Sequence, residues 1–310
     1  MIKATCLFVL WWILSAASMI FCKRALDLAP TIAFTTSCLQ LSWGMLYVCL
    51  LWLNGYRERP EPTKSDIKCL LPVACLQSLV HVGVVVSMGN GTISYTMIVK
   101  LAEPAVSACV TLLQGSKLPV TIVLTILLTI GGIIVASIAE VTFRWTSFLY
   151  AMVANVASSG RRIVGEMAMN ESVGHDLSPI NLFAVLNLLS IFFLVPLALV
   201  MEGPVLPSAM AEMMTTGQLL PYLCETCLAS ICFYLYNEIG LLILDDYTPI
   251  MDAIGNTLRG VFIVLSSMWV FGNRMTPLGI GGSTLAFSGV LLYAMERIRI
   301  ANKNMSKGNE

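Results

Sequence analysis

Lys100, Glu103 and Ser107 stand three and seven positions apart inside the apolar run 91–113 (GTISYTMIVKLAEPAVSACVTLL), so a helix there carries all three on one face. Asp252, Asn256 and Arg259 share a face of the run 248–271, at steps of four and three. Arg161 and Arg162 lie in 146–168, Gln77 and His81 lie four apart in 69–88, and Glu225, Tyr236, Asn237 and Glu238 lie in 218–243. A cation at the middle of a membrane helix costs about 2.5–3.5 kcal/mol on insertion scales, and it is kept where it faces a polar cavity. Three cationic positions, Lys100, Arg161 and Arg259, come from three separate runs. An anion is the simplest partner that all of them lack. Arginine offers a bidentate fork and lysine a point charge, and each charge-assisted hydrogen bond contributes about 1.5–3 kcal/mol. That chemistry favours a small phosphorylated dianion over a neutral solute, with His81 and Tyr236 as orienting donors.

Each group also has a structural reading. Lys100 and Glu103 can form an ion pair, and Asp252 can be tied to Arg259 through Asn256. One of Arg161 and Arg162 faces the bundle axis; the other snorkels or pairs with Glu166. His81 alone can be a satisfied polar residue, and Glu225, nearer a span end, an interfacial one.

The elements that must position these residues are membrane helices. Of 310 residues, 57% are hydrophobic and only 12% charged, and the mean hydropathy is +0.82. This excludes a soluble globular domain. The net charge of zero gives no reason to expect a nucleic-acid partner. Apolar segments of spanning length fall near 5–22, 31–53, 69–88, 91–113, 119–139, 146–168, 179–201, 218–243, 248–271 and 276–295, ten in all. Short links carry turn residues at Asn54-Gly55, Asn90-Gly91, Gly203-Pro204 and Gly272-Asn273. Pro104 predicts a bend in the fourth span. The ten cysteines are scattered through apolar segments and do not form a secreted disulfide framework; Cys224 and Cys227 read as small apolar filler. With only His81 and His175, no zinc pattern is available, so neither a metal nor a cofactor is expected.

Basic residues orient the chain. The side of the N-terminus holds ten (Lys3, Arg57, Arg59, Lys64, Lys68, Lys117, Arg297, Arg299, Lys303, Lys307) and the other side four (Lys23, Arg24, Arg144, Arg274), which predicts both termini in the cytosol. The sequons at Asn170 and Asn304 fall on that cytosolic side and are expected to stay unused. The first span begins almost at once, so no transit peptide is expected before it, and that segment can act as a signal anchor.

The segments starting at Thr125 and Ser283 look alike at an offset of 158, which lays Lys100 beside Arg259. Five plus five spans invert the second copy. The predicted fold is therefore an all-α membrane protein of ten transmembrane helices, built as two inverted five-helix repeats. These cover 1–139 and 140–310, the second ending in a short polar tail. Inverted repeats place a site at the midplane where the copies meet.

The run Ser94 to Pro104 (SYTMIVKLAEP), Ala139 to Trp145 (AEVTFRW), Leu235 to Glu238 (LYNE) and Val270 to Arg274 (VFGNR) resemble the plastid phosphate translocators, the triose-phosphate branch of the drug/metabolite transporter superfamily. The likeness runs over nearly the whole chain. It implies phosphate binding by Lys100 and by Arg259, the latter standing where the family has the lysine of a Lys-Arg pair. It further implies substrate contacts from His81, Arg161 and Tyr236. Gly260 replaces the arginine of the pair, Val84 a threonine, and Gly165-Glu166 a Ser-Lys. Related nucleotide-sugar carriers also lack that arginine.

The expected activity is antiport of inorganic phosphate against a three-carbon phosphate ester: triose phosphate, 3-phosphoglycerate or phosphoenolpyruvate. An empty site would set three cations against one another at low dielectric, so only loaded carriers cross. A nucleotide-sugar antiporter of the secretory pathway is the alternative. An enzyme would need a nucleophile–base pair or a metal cluster within the spans, and none is found. A purely structural membrane protein leaves the central cations unexplained. The resemblance implies a plastid-type, apicoplast-like organelle membrane, with a Golgi membrane as the alternative, and a monomer or homodimer in the lipid bilayer.

Overall fold

The computed structural model describes residues 2–113, 115, 118–141, 143–170, 178–246 and 249–308. Twelve helices run in the order α1 (Ile2–Leu28), α2 (Ala33–Leu53), α3 (Lys64–Asn90), α4 (Ile93–Lys100), α5 (Glu103–Leu113), α6 (Val120–Ile138), α7 (Trp145–Asn170), α8 (Pro179–Glu202), α9 (Leu206–Thr215), α10 (Leu219–Asp246), α11 (Pro249–Phe271) and α12 (Pro277–Gly308). Among the described residues there is no strand. Among the described residues, nine segments are long and apolar enough to cross a membrane, α4 and α5 counting together as Ile93–Leu113. The protein is an all-α membrane protein. The span expected at 146–168 is also helical, as the 26-residue α7, but it is not among the nine. Arg161, Arg162 and Glu166 make its second half polar.

Several starts follow from local chemistry. Thr63 and Asp66 form a reciprocal capping box at α3, with the Thr63 N–H donating to Asp66 Oδ2 at 2.8 Å and the Asp66 N–H to Thr63 Oγ1 at 3.2 Å. Thr92 caps α4 and Ser178 caps α8, where Pro179 occupies the first turn. The N-terminus of α2 is capped from a distance. The buried Glu202 carboxylate, at the end of α8, accepts from the Phe34 and Thr35 N–H groups at 2.8 Å each and from Thr35 Oγ1 at 2.7 Å.

Three expectations need correction. The link after Gly203 is not a simple turn, because α9 intervenes, laying Ala209 and Met213 against Ala25, Ala29, Ile32 and Tyr222. The polar tail is helical as well: α12 continues through it to Gly308, there being no proline or glycine between Gly289 and that point to stop it. The fourth span does not bend at Pro104 but breaks before it. Proline has no N–H for the carbonyl four residues back, at Lys100, and its ring crowds that carbonyl. The chain therefore tightens at Leu101 and Ala102, whose N–H groups donate to Ile98 O and Val99 O at 3.1 and 3.0 Å, and Pro104 falls in the first turn of α5.

Packing is tightest along α6 and α12, the segments that looked alike in sequence. A Cβ on Gly282 would lie 2.5 Å from the Ala136 nitrogen, one on Gly132 would run into the Ala286 backbone, and one on Gly289 would stand 2.8 Å from the Thr129 nitrogen. Across the bundle, α7 packs on α3 through Gly83, where a Cβ would sit 2.8 Å from the Tyr150 carbonyl oxygen.

Candidate functional site

The break between α4 and α5 ends one short helix at Lys100 and starts another at Glu103. α7 lies alongside it. The Asn155 side chain, fully buried, donates from Nδ2 to the Val99 carbonyl at 2.9 Å. One turn on, Ser159 Oγ lies 2.9 Å from Ser107 Oγ and donates to the Glu103 carbonyl at 3.4 Å. A further turn on, Arg162 forms an ion pair with the Glu103 carboxylate. The next stripe of the same helix, Ser158 and Arg161, faces a different way.

It faces a cavity of about 300 Å³ enclosed by the bundle. Its wall is drawn from nine helices, α1 to α5, α7, α8, α10 and α11. Among its described lining residues none belongs to α6 or α12. Lys100, Arg161 and Arg259 all line it, together with His81, Gln77, Tyr236 and Asn237. All five residues singled out from the sequence, Lys100, Arg259, Arg161, His81 and Tyr236, thus border one chamber. Glu103 is the only acidic residue among the described lining, and it is engaged by Arg162. Among the described residues no carboxylate lies within 4.0 Å of the Lys100 ammonium or the Arg161 guanidinium.

The Arg259 fork grips its own helix and two rings. Nε and Nη2 donate to Asn256 Oδ1 at 3.2 and 2.8 Å, and the guanidinium carbon lies 5.0 Å from the Trp11 ring centroid and 5.6 Å from that of Tyr236. Stacking on two aromatic faces orients the guanidinium beside the chamber. The His81 ring stands edge-on to Phe233 at 5.2 Å, and its Nε2 is buried with no partner, as are Gln77 Oε1 and Arg161 Nε. Buried polar atoms without partners are uncommon; here three occur on residues of one chamber.

Other expected pairings fall differently. Lys100 and Glu103 do not pair, and Arg162 takes Glu103 rather than Glu166. Glu103, at the start of α5, lines the chamber with Lys100 but is held by Arg162 of α7. Ser107 leaves the expected common face and bonds to Ser159. Glu238 belongs to another contact, with Arg57 at 2.9 Å, and Glu225 lies 3.9 Å from Arg24. Lys117, His175 and residues 171–172, and the side chains of Asp252, Asn170 and residues 304–306, lie outside what the structure describes. Gly260 lines the chamber, and a Cβ there would meet Phe287 at 2.8 Å; Val84 lines it as well. Sequence reasoning missed Trp11, Phe233 and Asn155. An aromatic residue in a first apolar span carries no mark distinguishing it from one facing lipid. Asn155 did carry a signal, as a lone amide in an apolar helix.

The profile of the triose-phosphate transporter family matches residues 2–294. Glucose-6-phosphate/phosphate translocator 1 of Arabidopsis thaliana chloroplasts is 30% identical over 94% of this chain and 74% of its own length. The chloroplastic phosphoenolpyruvate/phosphate translocator 2 of the same plant is 30% identical over 97% of this chain and 79% of its own. The chloroplastic triose phosphate/phosphate translocator of Flaveria pringlei is 28% identical over 94% and 71%. A solved crystal structure covers 96% of this chain and 98% of its own with a TM-score of 0.56 at 14% identity, a likeness of fold alone. With a match from the second residue to the last transmembrane helix, the chain belongs to the triose-phosphate transporter family, whose members are transporters and not enzymes.

Proposed function

We propose that this protein is an antiporter that exchanges inorganic phosphate for a phosphorylated three-carbon metabolite, by alternating access of one central chamber. The observation that carries the reading is that Lys100, Arg161 and Arg259 line one cavity, where among the described residues no carboxylate lies within 4.0 Å of Lys100 or Arg161 and Glu103 is paired with Arg162. A dianion supplies the missing charge. The phosphate group is held by Lys100, Arg161 and Arg259, and the rest of the ester by His81 and Tyr236. The relatives named above support phosphate as one of the two cargoes.

The cycle follows from electrostatics. Three like charges at low effective dielectric repel, so closing the empty chamber is costly, and a bound dianion removes that cost. A ligand shifts a conformational equilibrium only by its differential affinity for the two states, and here the difference is the charge it cancels. Obligate exchange results without an energy source. In this reading the halves 1–139 and 140–310 are inverted repeats that rock about the site, ten spans cross the bilayer, and both termini face the cytosol. The membrane is that of a plastid-type organelle.

The test is exchange in proteoliposomes. Labelled phosphate is taken up when phosphate or a phosphate ester is loaded inside; equal uptake into vesicles empty of anion sinks the proposal. A panel of triose phosphate, 3-phosphoglycerate, phosphoenolpyruvate, glucose 6-phosphate and nucleoside monophosphates as internal substrate ranks the esters. Gly260 in the chamber wall gives the nucleotide-sugar reading its one specific support, and preferential exchange against nucleoside monophosphate would establish it.

A further inference from the structure

α7 shows two neighbouring stripes to two different clients. Ser158 and Arg161 line the chamber. Asn155, Ser159 and Arg162, at steps of four and three, reach across to the broken helix: the Val99 carbonyl, the Glu103 carbonyl with Ser107, and the Glu103 carboxylate, in that order. Every one of these contacts falls within two turns of Lys100.

The break frees backbone carbonyls inside the bundle, and a carbonyl left unpaired there costs about 1–3 kcal/mol. At the break the Val99 carbonyl, which accepts from the Ala102 N–H at 3.0 Å, takes a second bond from Asn155 Nδ2 at 2.9 Å, so α7 ties down the carbonyl at the end of α4. The carboxylate poses a separate problem. Glu103 is three positions from Lys100 and lines the same chamber, so nothing in the spacing prevents it from reaching the ammonium. A carboxylate on Lys100 would compete with any anion for the same charge. What occupies Glu103 is Arg162, whose side chain stays 44% exposed while that of Glu103 is 22% exposed.

We propose that α7 acts as a splint for the broken helix, and that Arg162 is a positioning residue. By engaging the Glu103 carboxylate it leaves the Lys100 ammonium available to an anion. This rests on the chamber being the anion site, and it assigns a task to an arginine that never touches the cargo. Arg161 and Arg162, adjacent in sequence, then divide the work: the first binds the ligand, the second removes its competitor.

The experiment is a rescue. Full-length protein carrying Arg162→Gln is reconstituted, and phosphate exchange is followed against phosphate concentration; in parallel, the stabilisation of detergent-purified protein by inorganic phosphate is read as a shift in Tm. With Arg162→Gln, the KM for phosphate rises about tenfold, Vmax and the ligand-free Tm stay near wild type, and the phosphate-induced shift shrinks. Adding Glu103→Gln to Arg162→Gln returns KM to within about threefold of wild type, because the competing carboxylate is gone. An unchanged KM in Arg162→Gln overturns the proposal. So does a raised KM that Glu103→Gln does not restore, since Arg162 would then act as a ligand or as a structural prop. If wild-type protein itself neither exchanges nor is stabilised by phosphate, the anion-site reading fails first, and the wild-type control identifies that outcome.

Discussion

The helices around the chamber leave a cavity lined by polar side chains; α6 and α12 meet backbone to backbone along a glycine seam. The chamber wall holds basic residues, unpartnered polar atoms and a helix interrupted at mid-span. The α6–α12 seam holds glycines in contact with the facing main chain, and none of the described chamber lining. One region keeps features that cost stability, which in the proposed function a bound anion completes. The other has no room left for anything to be added. Stability and function are thereby assigned to different helices, and substitutions in the two places should fail in different ways.

The largest separation is expected from Arg259→Ala. Exchange should fall by about two orders of magnitude, from loss of charge-assisted hydrogen bonds of about 1.5–3 kcal/mol each, while insertion and thermal stability hold. Wild-type transport by this variant would take Arg259 out of the site and blur the contrast. Gly282→Val should do the reverse. Its side chain has nowhere to go against Ala136, and overpacking of this kind costs about 1–3 kcal/mol. Folded yield and Tm should drop, while the surviving protein keeps its KM for phosphate; a changed KM would connect the seam to the chamber.

Glu202→Ala tests a third region, remote from both. It removes the acceptor for two N–H groups and a hydroxyl at the start of α2, and a lowered Tm corresponding to about 1–3 kcal/mol is expected, with transport per folded molecule preserved. The smallest effect belongs to Arg299→Ala. Its side chain, 79% exposed, lies 3.5 Å from Glu296 on the same helix, and such surface pairs are typically worth about 0.2–1 kcal/mol. A Tm change beyond a few degrees would mean that this pair does more than decorate the surface of α12.

The residues of the chamber were legible in the sequence because charge inside an apolar run has few innocent explanations. Lys100, Arg161 and Arg259 stood out by their cost, and His81 and Tyr236 through the resemblance. Their partners were not legible. Which of two adjacent arginines faces the axis, and what the other does, depends on where the fourth span breaks. Pro104 announced a disturbance without saying whether the helix would kink or divide. Arg162 of α7 holds Glu103, which neither helical spacing nor charge pattern within one segment can show. Trp11 was hidden for a different reason: apolar membrane faces and apolar core faces use the same residues. The helix α9 was masked by Gly203 and Pro204, which read as the end of order when they only mark a change of direction.

The capping of α2 by Glu202 has a consequence for how the bundle can move. A carboxylate that satisfies the first turn of a helix from elsewhere in the chain acts as a hinge pin: it permits tilting about the capped end and forbids sliding away from it. In the alternating access proposed above, the start of α2 and the end of α8 would travel as one body, because any motion that parts them exposes unpaired main-chain donors.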